Sequence, residues 1–188
     1  MNEASAAQIT SDPNGGGQPG RAQIGEGFVG EVPHVAHINT VLGARGGPVE
    51  SAWATALATP RAGHVPFVCV LRPNLPVQPM TLFVNKAAVA NEVHGNLTWG
   101  AAQAGVAAGV ADAVAEGVID ATSVADLVLI CAVWVDPNAT DEDAIYRNNR
   151  AATSAALAAG ARDEPSIDSV LAERDAPWNP YFLVHKPS

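Results

Sequence analysis

The stretch Trp99-Gly100-Ala101-Ala102-Gln103-Ala104-Gly105-Val106-Ala107-Ala108-Gly109-Val110-Ala111-Asp112-Ala113-Val114-Ala115-Glu116-Gly117 decides the fold. It has the length of a helix, and small apolar residues recur on every side of it, with Gln103, Asp112 and Glu116 as its only strongly polar members. A helix that is apolar nearly all round is buried on several sides. In a chain of 188 residues such burial is easiest between a sheet and another layer, or against a neighbouring subunit. The stretch therefore predicts an interior helix and points to an oligomer.

Outward from this helix, strands and helices alternate irregularly. Asp126 to Val135 is almost wholly apolar, the pattern of a central strand, and Thr140 with Asp143 forms an approximate capping box for a last helix to about Ala159. On the N-terminal side, Ile24 to Gly30 reads as a short strand and Val35 to Leu42 as a longer one rich in β-branched residues. Gly43 to Gly47 makes a tight loop. Pro48 suits the first turn of a helix, and Val49, Trp53, Ala56 and Leu57 follow at helical spacing until Pro60 stops it. Pro66 to Leu71 and Thr81 to Val84 are two more strand-like runs, joined through prolines 73, 76 and 79 by what reads as a stiff extended crossing loop. Residues 1–23 lack periodicity and contain Asn14-Gly15-Gly16-Gly17, so they read as a disordered tail. The domain is expected over 24–162, with 163–188 as a polar extension whose aromatic end, Trp178, Tyr181 and Phe182, is expected to dock somewhere rather than dangle.

Composition narrows the function classes. Ten basic against nineteen acidic residues give a net charge of −9, which repels phosphate backbones and anionic membranes, so neither nucleic acid nor membrane is an expected partner. Cys69 and Cys131 each lie within an apolar run and read as buried thiols rather than as a disulfide or metal framework. The first twenty residues contain no apolar core of signal-peptide length, no later stretch reaches the length of a membrane span without a polar break, and a cytoplasmic location is expected.

The sequence contains no phosphate-binding glycine loop, no spaced Cys/His cluster and no serine elbow, so the chemical candidates are single residues in unusual settings. His37 lies within an apolar strand, where an imidazole is costly unless hydrogen-bonded. A satisfied structural histidine is the commoner outcome there, by about two to one, and composition alone does not make it catalytic. Asn39, two residues on, shares its face, so a ligand along the strand could touch both, although a merely exposed polar residue fits equally. Lys86 ends a strand and either binds a carboxylate or carbonyl oxygen or is simply solvated. Gln103 is a neutral amide on an apolar helix and must find partners across the interior or in a pocket. His34 and His37, three apart on a strand, point to opposite faces, which argues against a shared metal ion.

The order of these features resembles the formaldehyde-activating enzymes. Ile24-Gly25-Glu26 with Gly30 resembles that family's opening strand, and Val35-Ala36-His37-Ile38 its histidine strand. Gly43 to Ala52 resembles its loop and first helix, and Pro73-Asn74-Leu75-Pro76-Val77-Gln78-Pro79 with Thr81-Leu82 and Asn85-Lys86 its most specific stretch. Gly100 to Ala107 and Ala111 to Gly117 resemble its buried helix. The blocks are collinear from Ile24 to about Gly160.

The resemblance implies an α+β (mixed α/β) fold like the second domain of ribosomal protein S5, assembled as a homopentamer with tetrahydromethanopterin bound between subunits. It implies a carbon–nitrogen lyase that condenses formaldehyde with this pterin to methylene-tetrahydromethanopterin and water, in one-carbon metabolism and formaldehyde detoxification. No metal or prosthetic group is implied, since the pterin is a co-substrate. His37 matches the family's proton donor, and Val68, Lys86 and Gln103 match pterin contacts. Two contact positions depart from the pattern: Asn39 stands where the family has aspartate, and Ala88 where it has threonine. His34, where an acidic residue is usual, and Ala101, where proline is usual, also imply an altered pterin-facing wall. These departures define an alternative, a divergent paralogue that binds pterin or formaldehyde for sensing or buffering without catalysis.

Overall fold

The computed structural model describes residues 21–179 and residue 182. The tail through Gly20, and Tyr181 at the aromatic end, therefore lie outside the described residues. A five-stranded sheet is built from β1 (Gln23–Val29), β2 (Ala36–Ala44), β3 (Phe67–Val68), β6 (Met80–Asn85) and β7 (Leu127–Trp134), in the order β1-β2-β7-β6-β3. Neighbours are antiparallel except β6 and β7, which run parallel. The apolar strand β7 is central, as its composition predicts. With α1 (Pro48–Ala58), α2 (Glu92–Leu97), α3 (Gln103–Ala115), α4 (Glu142–Ala161) and α5 (Ile167–Ala172), the chain is an α+β protein with a mixed sheet.

Alternation assigns the two faces of this sheet different tasks. One face carries Ala36, Ile38, Leu42, Phe83, Leu129, Cys131 and Val133, all buried. They share a core with Val106 and Val110 of α3 and with Ile145, Ala152 and Ala156 of α4. Helix α4 lies over β1 and β2 and packs along α3. The approach to β1 is so close that a Cβ on Gly25 would sit 1.8 Å from the Ala156 carbonyl oxygen, and one on Gly27 2.1 Å from that of Ala152. Glycine here is a packing requirement. The same holds between the helices, where a Cβ on Gly105 would lie 2.5 Å from the Tyr146 carbonyl oxygen. Arg150 of α4 then ties the outer side of the pair to Asp112 of α3 through two hydrogen bonds of 2.6 and 2.8 Å.

The interior helix is present, but its start differs from the sequence expectation. Helix α2 leads into a π-helical turn over Thr98–Ala102 before α3 begins at Gln103. Thr98 Oγ1 donates to the His94 carbonyl at 2.7 Å, a side-chain bond of the kind that bends a helix. The wide turn leaves Trp99 about half exposed while Gln103 stays buried. From Ala101 to Val114 no residue is exposed, so burial on several sides is realised.

Three local readings change. The run Pro66 to Leu71 is not one strand: the Val70 N–H is taken at 2.6 Å by Gln103 Oε1, and the chain leaves the sheet there. The proline-rich segment is therefore no crossing loop. β4 (Val70–Arg72) and β5 (Leu75–Pro76) form a separate hairpin, turned by Asn74 at φ 66°. The cap of α4 is Asp141, which accepts from the Ala144 N–H at 2.9 Å, and not the Thr140–Asp143 pair. β1 and β2 also extend slightly beyond their expected ends, to Gln23 and Ala44.

At one end of the sheet's second face α1 buries Val49 against Gly43. Around the other end Glu26, Phe28, His37 and Trp134 stay accessible.

Candidate active site

The open end of the second face gathers side chains from four strands or their ends. In register, Asn39 lies opposite Glu26, and His37 lies between Phe28 on one side and Trp134 on the other. Glu26 reaches diagonally across to His37, with Oε1 2.9 Å from Nε2. The Phe28 ring tilts against the imidazole, the centroids 5.7 Å apart and the planes at 60°.

Lys86 enters from the end of β6. Its N–H bonds the Val133 carbonyl at 2.7 Å and continues the parallel ladder one step. The preceding Asn85 is buried, and its Nδ2 donates to the Gly63 and Ala87 carbonyls at 2.7 and 2.8 Å, which pins the backbone beside the lysine. The Lys86 ammonium donates to Asn39 Oδ1 at 2.5 Å. Glu26, Phe28, His37, Lys86 and Trp134 line one cavity of about 680 Å³ together with Trp178 and Asn179 of the C-terminal extension. That volume lies within the usual range of small-molecule sites.

Electrostatics in this cavity are interlocked. Burial lowers the His37 pKa below its ordinary value, the Lys86 cation lowers it further, and the Glu26 carboxylate opposes both through its charge and its hydrogen bond. Burial likewise pushes Lys86 down to about 8, against the pull of Glu26. The result is an amine of reduced basicity beside an imidazole whose proton is held chiefly by one carboxylate.

The remaining predicted residues fall elsewhere. Val68 and Gln103 line a second cavity of about 410 Å³ at the β3 edge, with Val65, Phe67, Val70 and Trp99. β2 and β3 are three steps apart in the sheet order. Three strand spacings put the axes of β2 and β3 about 14 Å apart. Ala88 is exposed and lines neither cavity. His34 and Ala101, expected to alter a ligand-facing wall, line neither of these two cavities. His34 Nε2 accepts from the Thr140 and Asp141 N–H groups at 3.3 and 3.1 Å, ahead of α4, a place an acidic side chain would fill by the same bonds. Ala101 is buried in the core.

Among the other histidines, His94 is fully buried with both ring nitrogens engaged, Nδ1 accepting from the Ala90 N–H and Nε2 bonding the Val135 carbonyl, each at 3.1 Å. It is the satisfied structural histidine that was also an available reading of His37.

Sequence reasoning missed Glu26, Phe28, Trp134, Trp178 and Asn179. The first two carried a usable signal, since Glu26 and Phe28 alternate with two glycines on a strand, which marks them as one outward face.

A carboxylate-bound imidazole, an amine of lowered basicity and aromatic walls on the open face of an α+β sheet are groups of the kind general acid–base catalysis uses. The chain belongs to the formaldehyde-activating enzyme family, whose model matches residues 24–182. The 5,6,7,8-tetrahydromethanopterin hydro-lyase of Methanosarcina barkeri strain Fusaro is 40% identical over 161 residues, which cover 86% of this chain and 90% of that protein. Longer relatives are also similar: the bifunctional enzyme Fae/Hps of Methanosphaera stadtmanae is 42% identical over 173 residues, and that of Methanococcoides burtonii 44% over 152. The chain spans only 43% and 38% of those two proteins.

Proposed function

We propose that this chain condenses formaldehyde with tetrahydromethanopterin, giving methylene-tetrahydromethanopterin and water, with His37 as proton donor. The observation that carries the reading is the His37–Glu26 contact of 2.9 Å in the cavity that also holds Lys86, within a chain of this family.

A pterin nitrogen attacks formaldehyde to form a carbinolamine. Its hydroxyl leaves as water on receiving a proton, and the second pterin nitrogen closes the methylene bridge. His37 supplies that proton. Glu26 holds the imidazole in place and favours its charged form, while burial and Lys86 make it a stronger acid than free imidazole. General acid catalysis of this kind contributes about 10² to 10⁴ in rate, and positioning of the two reactants contributes the rest.

Lys86 and Asn39 bind the polar edge of the pterin from the first cavity. Val68 and Gln103 contact it from the second, belonging to a neighbouring subunit of a homopentamer, which gives both cavities of one chain a role. Ala88 contributes no hydroxyl contact. We assign the reaction to the cytoplasm, where it serves formaldehyde fixation and detoxification; it needs no metal or prosthetic group.

The test is methylene formation in a mixture of purified protein and both substrates. A rate above the spontaneous reaction is expected, and a rate equal to it overturns the proposal. Pterin binding by titration without acceleration would return the alternative of a binding paralogue.

A further inference from the structure

Lysine is almost absent from this chain. Of its ten basic residues eight are arginine, and the only lysines are Lys86 and Lys186. One of the two stands in the cavity beside His37. For a protein that meets formaldehyde this matters, because a primary amine adds to formaldehyde while a guanidinium does so far less readily. Lys86 is also poised unusually. Its direct partner is Asn39 Oδ1, a neutral amide, and among the described residues it forms no ion pair. The nearby carboxylate of Glu26 is bonded to His37 instead. Asn85 and the ladder bond to Val133 hold the backbone at Lys86 still.

We propose that Lys86 is a covalent catalytic residue that captures formaldehyde as an iminium, so that the pterin nitrogen attacks this iminium in place of free formaldehyde, an inference that rests on formaldehyde being the substrate of this site. The neutral Lys86 amine attacks the carbonyl carbon, and its excess proton moves to the new oxygen, giving Lys86–NH–CH₂OH. Protonation of the hydroxyl by His37 releases water and leaves Lys86–NH⁺=CH₂, with the imidazole neutral. A pterin N–H nitrogen adds to the iminium carbon and gives its proton to His37. The Lys86 nitrogen then takes up the proton of the second pterin N–H and leaves as the neutral amine while that pterin nitrogen closes the bridge. The sum is formaldehyde plus two N–H groups giving N–CH₂–N and water, with no oxidant or reductant. Burial supports the first step, since a lysine brought down to about 8 carries a substantial neutral fraction near pH 7.5, where an ordinary lysine has almost none. Asn39 is part of the arrangement: a carboxylate there would pair with the ammonium and hold its proton.

The full-length protein is treated with a limiting amount of formaldehyde and cyanoborohydride at pH 7.5, without pterin, with an Nα-acetyl-lysine amide in the same tube as reference amine. Trapped iminium appears as N-methyl-lysine and is located by peptide mass spectrometry. Lys86 is expected to label at least about tenfold faster than the reference, as its larger neutral fraction requires. Asn39→Asp is expected to remove most of that advantage, circular dichroism verifying that the variant is folded. Labelling at the reference rate, or labelling unchanged in Asn39→Asp, overturns the inference. Methylene formation is measured on the same preparation. Acceleration without preferential Lys86 labelling sinks covalent capture and leaves the proposed reaction standing. Preferential labelling without acceleration supports capture and overturns the reaction.

Discussion

The two faces of the sheet are made by alternate residues of the same strands, yet they obey opposite rules. Under α3 and α4 the sheet presents glycine, alanine and branched aliphatics that backbone touches directly. The buried His94 of α2 has both ring nitrogens taken by backbone groups. On the open end the histidine is bonded to a carboxylate side chain, and its neighbours are a lysine and aromatic rings. One imidazole is held on both nitrogens by backbone, and the other faces a cavity among side chains.

The contrast can be broken most forcefully on the covered face. Gly27→Val forces a side chain into the α4 backbone at a separation no Cβ tolerates, and either α4 lifts or the sheet bends. Loss of about 3 kcal/mol or more is expected, seen as a lowered urea midpoint or as failure to fold. A midpoint near that of the parent would show that the helix sits farther from β1 than described.

On the open face the corresponding change is functional. His37→Gln removes the proton donor and is expected to reduce catalysed methylene formation about 10²- to 10⁴-fold while moving the urea midpoint little, since the ring is only half-buried. A large stability loss with modest loss of rate would put His37 in the same class as His94.

The coupling between the open-face charges gives smaller, signed effects. With His37 acting in its protonated form, the rate falls as pH rises through a pKa below the ordinary imidazole value. Glu26→Gln removes the group that raises this pKa and moves the limb further toward acid. Pterin saturation separates this from weakened binding, because the shift persists in kcat. An unchanged limb would disconnect Glu26 from the acid.

The smallest effect is on stability. The folded chain releases the Lys86 proton near pH 8, whereas an unfolded lysine keeps it to about 10.5. Between these values the unfolded state binds more protons, so stability rises with pH across that window, and below about 8 the cost of burying the cation is fully present. Lys86→Met is expected to abolish that slope in pH-dependent urea melts. A slope that persists would belong to another group.

How much of this was legible in the chain follows the same division. The central position of β7, the interior position of α3, the helix starting at Pro48 and the separate status of His37 all follow from periodicity and composition, because burial requires apolar residues at fixed spacing. The π-helical turn, the hairpin after Cys69 and the cap at Asp141 do not, because each depends on one side-chain hydrogen bond that competes with a regular ladder: Thr98 to His94, Gln103 to Val70, Asp141 to Ala144. Glu26 shows the limit for the site. Alternation puts it on an outward face, but nothing in the chain says that face lies beside His37 until β1 pairs with β2.

By itself, then, the sequence determined the mixture of strands and helices, the burial of one helix, the family, and which histidine stands on a strand among neighbours of that family's pattern. Tertiary structure alone decided that Glu26 and Lys86 meet at His37 while Val68 and Gln103 face a different cavity, and that His34 accepts from the backbone just ahead of α4. Apolar burial is a sum over many residues and leaves its period in the chain, whereas a proton-transfer site is a coincidence of a few polar groups, distant in sequence, whose meeting is fixed only by strand register.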